Sequence, residues 1–207
     1  MEISVTLVIV ALTVLVSFAA FNNDELRNQL IFSPYQVKHQ NEWWRTITHG
    51  FIHADHMHLI FNMYVLYNFG RLVEGTLTYH YGETTGMIYY IGMYIGGLIF
   101  ATLPSIKKHS DNPLYRSLGA SGAVSTVLFA YIILYPLREL GLLFIPNVGI
   151  PAFIVGILYL AFETYSNKNG RSNIAHDAHI AGALFGIVYV VAIDFSNLTS
   201  FLHQIGL

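Results

Sequence analysis

The stretch Gly119-Ala120-Ser121-Gly122-Ala123-Val124-Ser125-Thr126-Val127-Leu128-Phe129-Ala130-Tyr131-Ile132-Ile133-Leu134-Tyr135-Pro136 carries no charge, opens on glycines and closes on proline. Its length is close to the roughly 20 apolar residues that a helix needs to cross a bilayer. It reads as a spanning helix over residues 119–136. Five further stretches of the same kind lie at about 3–21, 56–72, 85–103, 140–162 and 175–195. The first has no basic leader and no small-x-small cleavage site ahead of Asn22, so it reads as a span and not as a signal peptide. In the fifth, Pro146 and Pro151 interrupt the start. No period repeats, and no hydrophilic stretch is long enough for a second domain. The expectation is a single membrane domain over 1–207, an all-α polytopic bundle of six transmembrane helices.

Composition agrees. Of 207 residues, 54% are apolar and 11% charged, against about 25% charged in soluble domains; the mean hydropathy is +0.51. The partner this implies is the lipid bilayer. A net charge of -2 gives no basic surface for nucleic acid, and the absence of cysteine removes disulfides and thiol chemistry. Ten histidines are the anomaly, because ionisable groups at membrane depth are costly.

With spans alternating in direction, the second, fourth and sixth run the same way, so residues near their starts share one depth. There the polar outliers fall: His58 and Asn62, Ser121, and His179. His58 and Asn62 are one turn apart on one face. Gly122, Thr126 and Ala130 form a small-residue row beside Ser121, while Gly182 and Gly186 share a face with His179. Small residues let membrane helices approach closely, which brings Ser121 within reach of His179. Imidazole is a suitable base to activate a serine hydroxyl. The oxyanion then formed needs fixed donors, expected from the backbone at Gly119 and Ala120, the Asn62 amide and His58. No carboxylate is placed to orient His179, since Asp177 points elsewhere, so the pattern reads as a dyad. The bland alternatives are a serine bonded to its own helix, and packing without chemistry. Trp43, Trp44 and Arg45 in the long first connection read on their own as an interfacial anchor.

These residues resemble the motifs of the rhomboid family of intramembrane serine proteases. Trp44-Arg45 matches its W-R pair, His58 to Asn62 its H-x-x-x-N, Gly119 to Gly122 its G-x-S-G, and Ala178 to Gly182 its A-H-x-x-G, all in the family's order. The resemblance implies Ser121 as nucleophile, His179 as base, and His58 and Asn62 as oxyanion donors. It implies structural or water-handling roles for Trp44, Arg45, His49, His53, Glu74, Gly122 and Gly182, with no cofactor and no metal. The implied substrates are transmembrane segments of other membrane proteins. The bare six-helix core looks like a bacterial inner-membrane form whose active site opens to the non-cytoplasmic side. Two positions depart from the family: Ser125, where an aromatic residue often stacks on the histidine, and Thr78, where glycine is usual. Eight of the ten Lys and Arg residues (Arg27, Lys38, Arg45, Lys107, Lys108, Arg116, Lys168, Arg171) lie on the active-site side. The positive-inside rule would make that side cytoplasmic, against the family's orientation.

Two rival readings exist. His49, His53, His56 and His58 with His176 and His179 look like the histidine boxes of membrane di-iron oxidases and desaturases, imidazole being a good iron ligand. A non-catalytic rhomboid-like membrane chaperone would share the fold, although such proteins typically lack the serine or the histidine.

Overall fold

The computed structural model describes residues 4–142, 145–169 and 175–207; Ile3 and Arg171 lie outside them. Helix α1 (Val5–Phe21) is followed by the long first connection, which folds into α2 (Asp24–Leu30), α3 (Pro34–Gln40), α4 (Arg45–Thr48) and a 3-10 turn at His49–Phe51. Then come α5 (His56–Val65), a π-turn at Leu66–Gly70, α6 (Arg71–Tyr81), α7 (Glu83–His109), α8 (Ser121–Leu134), α9 (Ala152–Asn169), α10 (His176–Ile193) and α11 (Ser196–Gln204). Helical segments thus sit at all six stretches expected from the sequence. Of these, α7 and α10 are long and apolar enough to cross a membrane by that criterion alone, while α1 and α8 are apolar but shorter.

Local chemistry sets the boundaries. Asp55 caps α5, its carboxylate accepting from the His58 N–H at 2.8 Å, and the second stretch then stays helical through the π-turn to Tyr81, nine residues past the expected end. Gly82, at φ +80°, stops it. Helix α8 ends before Pro136, which disfavours the helical conformation at Tyr135.

Among the described residues, the all-α expectation fails between α8 and α9. Strands β1 (Glu139–Leu142) and β2 (Ile145–Pro151) form an antiparallel hairpin between α8 and α9. The fifth helix therefore begins at Ala152, not at Leu140. Pro146 and Pro151 explain the difference: proline has no N–H for a helical ladder and clashes with the preceding turn.

Around an apolar core, the outside of the bundle is apolar as well. Leu12, Leu15 and Phe18 on α1, Ile88 on α7, Ile157 and Phe162 on α9, and Val188 on α10 are all exposed. Thr6, Thr13, Ser17, Thr102, Ser105, Thr126 and Glu163 are buried. An apolar exterior, with polar side chains taken into the core, is the arrangement lipid favours, because polar groups at that depth must find partners inside the protein. Helix α8 is the axis. It is buried over most of its length and packs most heavily on α10 and then α7.

Four of the eight cations on the side expected to hold the active site are bonded within structured connections. Lys38 bonds Asp111 at 2.9 Å and Lys108 bonds Asp177 at 2.7 Å. Lys38, through its hydrogen bonds, holds the Asp111 carboxyl below the usual carboxylate range. Arg116 donates to Ser33 Oγ at 2.8 Å. Arg45 is buried and is no interfacial anchor. Its Nη1 donates to the carbonyls of Asn28 and Ile31 at 2.8 Å each, holding the end of α2, and its Nε pairs with Glu42. Trp43 and Trp44 remain exposed. Glu74 is buried and structural: its carboxylate accepts from the N–H groups of Val5 and Thr6 and from the hydroxyls of Ser4 and Thr6. It thereby caps α1, where a negative charge complements the helix dipole.

Candidate active site

Ser121 is the first residue of α8, and the chain reaches it along a pinned segment. Phe32 and Ser117 exchange both backbone hydrogen bonds, at 3.0 and 3.1 Å, and the Gly119 N–H donates to the His49 carbonyl at 2.9 Å. Gly119 has φ +117°, and a side chain there would come within 2.6 Å of His58 Cε1. Glycine is therefore required on both counts.

His179 is brought alongside because the α8 and α10 backbones touch. The place a side chain would occupy at Gly182 is filled by the Gly122 carbonyl, and at Gly186 by that of Thr126. The Thr126 hydroxyl bonds the carbonyls of Gly122 and Gly182 at 3.1 and 2.9 Å. His179 Nε2 consequently lies 2.8 Å from Ser121 Oγ.

The other face of His179 corrects the sequence reading. Its Nδ1 is 3.0 Å from Glu163 Oε1, and Glu163 Oε2 is 2.6 Å from His176 Nδ1. An ionised carboxylate only accepts, so both histidines present Nδ1–H to it. That tautomer leaves the His179 Nε2 lone pair for the serine hydroxyl. Asp177 points away as expected, onto Lys108. Glu163 escaped notice because it lies one residue past the expected end of the fifth span, whereas α9 continues to Asn169. A signal was present: Tyr159 and Glu163 are one turn apart, and both face the site. Tyr159 OH bonds Ser125 Oγ at 2.7 Å, so Ser125 is part of a polar contact between α8 and α9.

The expected oxyanion donors need revision too. The Gly119 N–H is spent on His49, and the Ala120 N–H donates to His53 Nε2 at 3.3 Å. Neither is free for an oxyanion. The N–H groups of Ser121 and Gly122 precede the first helical bond of α8, from Val124 N–H to the Ala120 carbonyl, and are the helix-start donors of this region. The His58 ring covers Gly119. Asn62 directs its amide to the His58 carbonyl at 2.8 Å, within its own helix. A cavity of about 30 Å³ lined by Ser121, Gly122, His49, Thr102 and Ser105 adjoins the serine, room for about one water.

His49 and His53 support this scaffold as neutral rings. His49 Nε2 contacts the Thr46 carbonyl at 3.1 Å, and His53 Nδ1 contacts Ser17 Oγ at 3.0 Å. Burial lowers the His49 pKa to about 4; burial and then the neighbouring His58 lower that of His53 to about 3. The two histidine clusters of the histidine-box reading form no common metal-capable group among the described residues. Among the described residues, the one group with three converging metal-capable atoms is Glu163, His176 and His179, within 4.8 Å of one another, and the His49–His58 run is not part of it.

Fold and site together define a class: a helical bundle, apolar on its outside, that holds a hydrogen-bonded, half-buried serine and histidine. Residues 40–194 match the model of the Rhomboid domain, and the chain belongs to the rhomboid family, whose members are integral to membranes. It is 30% identical over 197 residues to the RHOMBOID-like protein 12, mitochondrial, of Arabidopsis thaliana, covering 88% of this chain and 55% of that one. To the Presenilin-associated rhomboid-like protein A, mitochondrial, of Danio rerio it is 30% identical over 142 residues, 68% of this chain and 35% of the relative. To the Rhomboid protease GlpG of Haemophilus influenzae it is 25% identical over 189 residues, 89% and 88% of the two chains. The chain thus spans about a third to a half of the mitochondrial relatives. Two of these relatives are mitochondrial and one is from a bacterium, so they do not establish the expected bacterial inner-membrane location.

Proposed function

We propose that the chain is an intramembrane serine protease whose six long helical segments span a membrane as one domain over 1–207. The observation that carries this reading is the 2.8 Å contact between Ser121 Oγ and His179 Nε2, inside a bundle with an apolar exterior. His179 takes the hydroxyl proton as Ser121 Oγ bonds the scissile carbonyl carbon. The oxyanion is met by the His58 ring and the N–H groups of Ser121 and Gly122, and Asn62 has a second amide N–H to offer. His179 returns the proton to the leaving amine, and water then releases the acyl group by the same steps in reverse. The substrates are transmembrane segments of other membrane proteins. Because Lys38, Arg45, Lys108 and Arg116 are tied up within structured connections, the cation excess is a weak argument against an active site opening away from the cytoplasmic side.

The test is cleavage of a reporter protein with one transmembrane segment, in reconstituted bilayers. Ser121→Ala and His179→Ala should each abolish cleavage, and the double variant should lose little more, since the two act as a unit. Cleavage that persists in either variant overturns the reading. Loss of activity on chelation, with iron in the purified protein, would favour the oxidase class instead.

A further inference from the structure

Glu163 bridges two histidines with its two oxygens, and His179, which it meets on one side, is the ring that meets Ser121 on the other. Both the carboxylate and His176 are buried. A buried carboxylate is costly unless every oxygen is paired, and here two N–H donors from one turn of α10 pair it. His176 is the first residue of α10 and His179 lies three further on, so both project toward α9. The two contacts fix Glu163 in place, with Oε2 held by His176 and Oε1 aimed at His179 Nδ1.

We infer that Glu163 is a positioning residue for the reaction, completing a Ser121–His179–Glu163 triad in which His176 holds the carboxylate. The inference rests on the proposed protease function. Ser125 has no ring to stack on His179 and is instead bonded to Tyr159, so the carboxylate selects the tautomer and, with the edge-on His176 ring at 6.3 Å, sets the ring orientation. As the Ser121 Oγ–carbon bond forms, the serine proton moves to His179 Nε2. Glu163 stays ionised and keeps its bond from Nδ1–H, so it faces an imidazolium only while the tetrahedral intermediate exists. That contact strengthens as charge develops, which makes its effect fall on turnover and not on substrate binding.

The test is the rate of fluorophosphonate labelling, measured with its end-point stoichiometry, on the full chain in bilayers. Glu163→Gln keeps the shape and removes the charge. By analogy with loss of the carboxylate from other serine triads, its labelling rate constant and kcat should fall on the order of 10²–10⁴-fold. KM and end-point stoichiometry should hardly change. Glu163→Asp, which retains the charge at shorter reach, should recover part of the loss. The rate constant belongs to the molecules that react, so a variant that folds only in part still gives it. If Glu163→Gln lowers the end point with the folded fraction while the rate constant stays within about threefold, the carboxylate is structural and the inference fails. Ser121→Ala and His179→Ala, run alongside, separate the two failures. If they do not label, the protease reading stands whatever Glu163 does; if Ser121→Ala still labels, that reading falls and takes the triad with it.

Discussion

Acid should unfold this protein through two neutral histidines in the connection between α1 and α5. His53 accepts the Ala120 N–H on Nε2 and has Ser17 Oγ at Nδ1, with the serine hydroxyl also bonded to the Phe51 carbonyl. A second proton on this ring would abut the Ala120 N–H, and burial opposes the charge. With folded-state values of about 3 for His53 and about 4 for His49, against 6.5 for the free side chain, the unfolded chain binds more protons below pH 6.5. Stability is therefore fully present above that pH and is lost as pH falls toward the folded values. Between pH 7 and pH 5 each ring forfeits about 2 kcal/mol, so the pair forfeits about 4. For a chain of this size that corresponds to roughly 10 °C in melting temperature. The assay is thermal unfolding in detergent at the two pH values, for the wild type and for His53→Gln, whose amide can replace both contacts without titrating. The variant's shift should be smaller than the wild type's by roughly 5 °C, the His53 share, because other ionisable groups contribute equally to both proteins. Identical shifts in the two proteins would refute the argument.

Two other outcomes follow from the same geometry. Gly182→Ala must push α10 away from the Gly122 carbonyl; overpacking of this kind typically costs about 1–3 kcal/mol, so melting temperature should drop and activity should fall with the loosened Ser121–His179 contact. Should melting temperature hold, the helix approach is softer than the contacts imply. His58→Ala should reduce kcat by about 10²–10³-fold, the usual loss of an oxyanion donor, with substrate binding little changed. Asn62→Ala should cost less, because one amide hydrogen is already bonded to the His58 carbonyl; kinetics showing Asn62 to be the larger loss would reverse that ranking.

Much of the molecule is legible in its sequence because lipid imposes a coarse rule: long uncharged runs must be helical. That rule anticipated a helical segment at each of the six stretches and, through alternation, a meeting of Ser121 with His179. It fails where the chain leaves the apolar regime. The hairpin at 139–151 is apolar enough to pass for helix, and its prolines announced a break without saying that a strand pair would fill it. Glu163 was lost for the same reason: hydropathy ends a span at the first charge, whereas α9 continues because two histidines receive that charge. The committed N–H groups of Gly119 and Ala120 depend on His49 and His53 folding back over the serine turn. Glu74 capping a helix 68 to 70 residues away is likewise a tertiary contact, which no local pattern encodes.

The central claim is that His179 activates Ser121 as a nucleophile. The most direct measurement is to treat the folded protein with a fluorophosphonate and map the adduct by mass spectrometry. The account predicts a single phosphonylated residue, Ser121, absent from the His179→Ala protein at the same exposure. An unmodified Ser121 in folded protein, or an adduct confined to another residue, would contradict it.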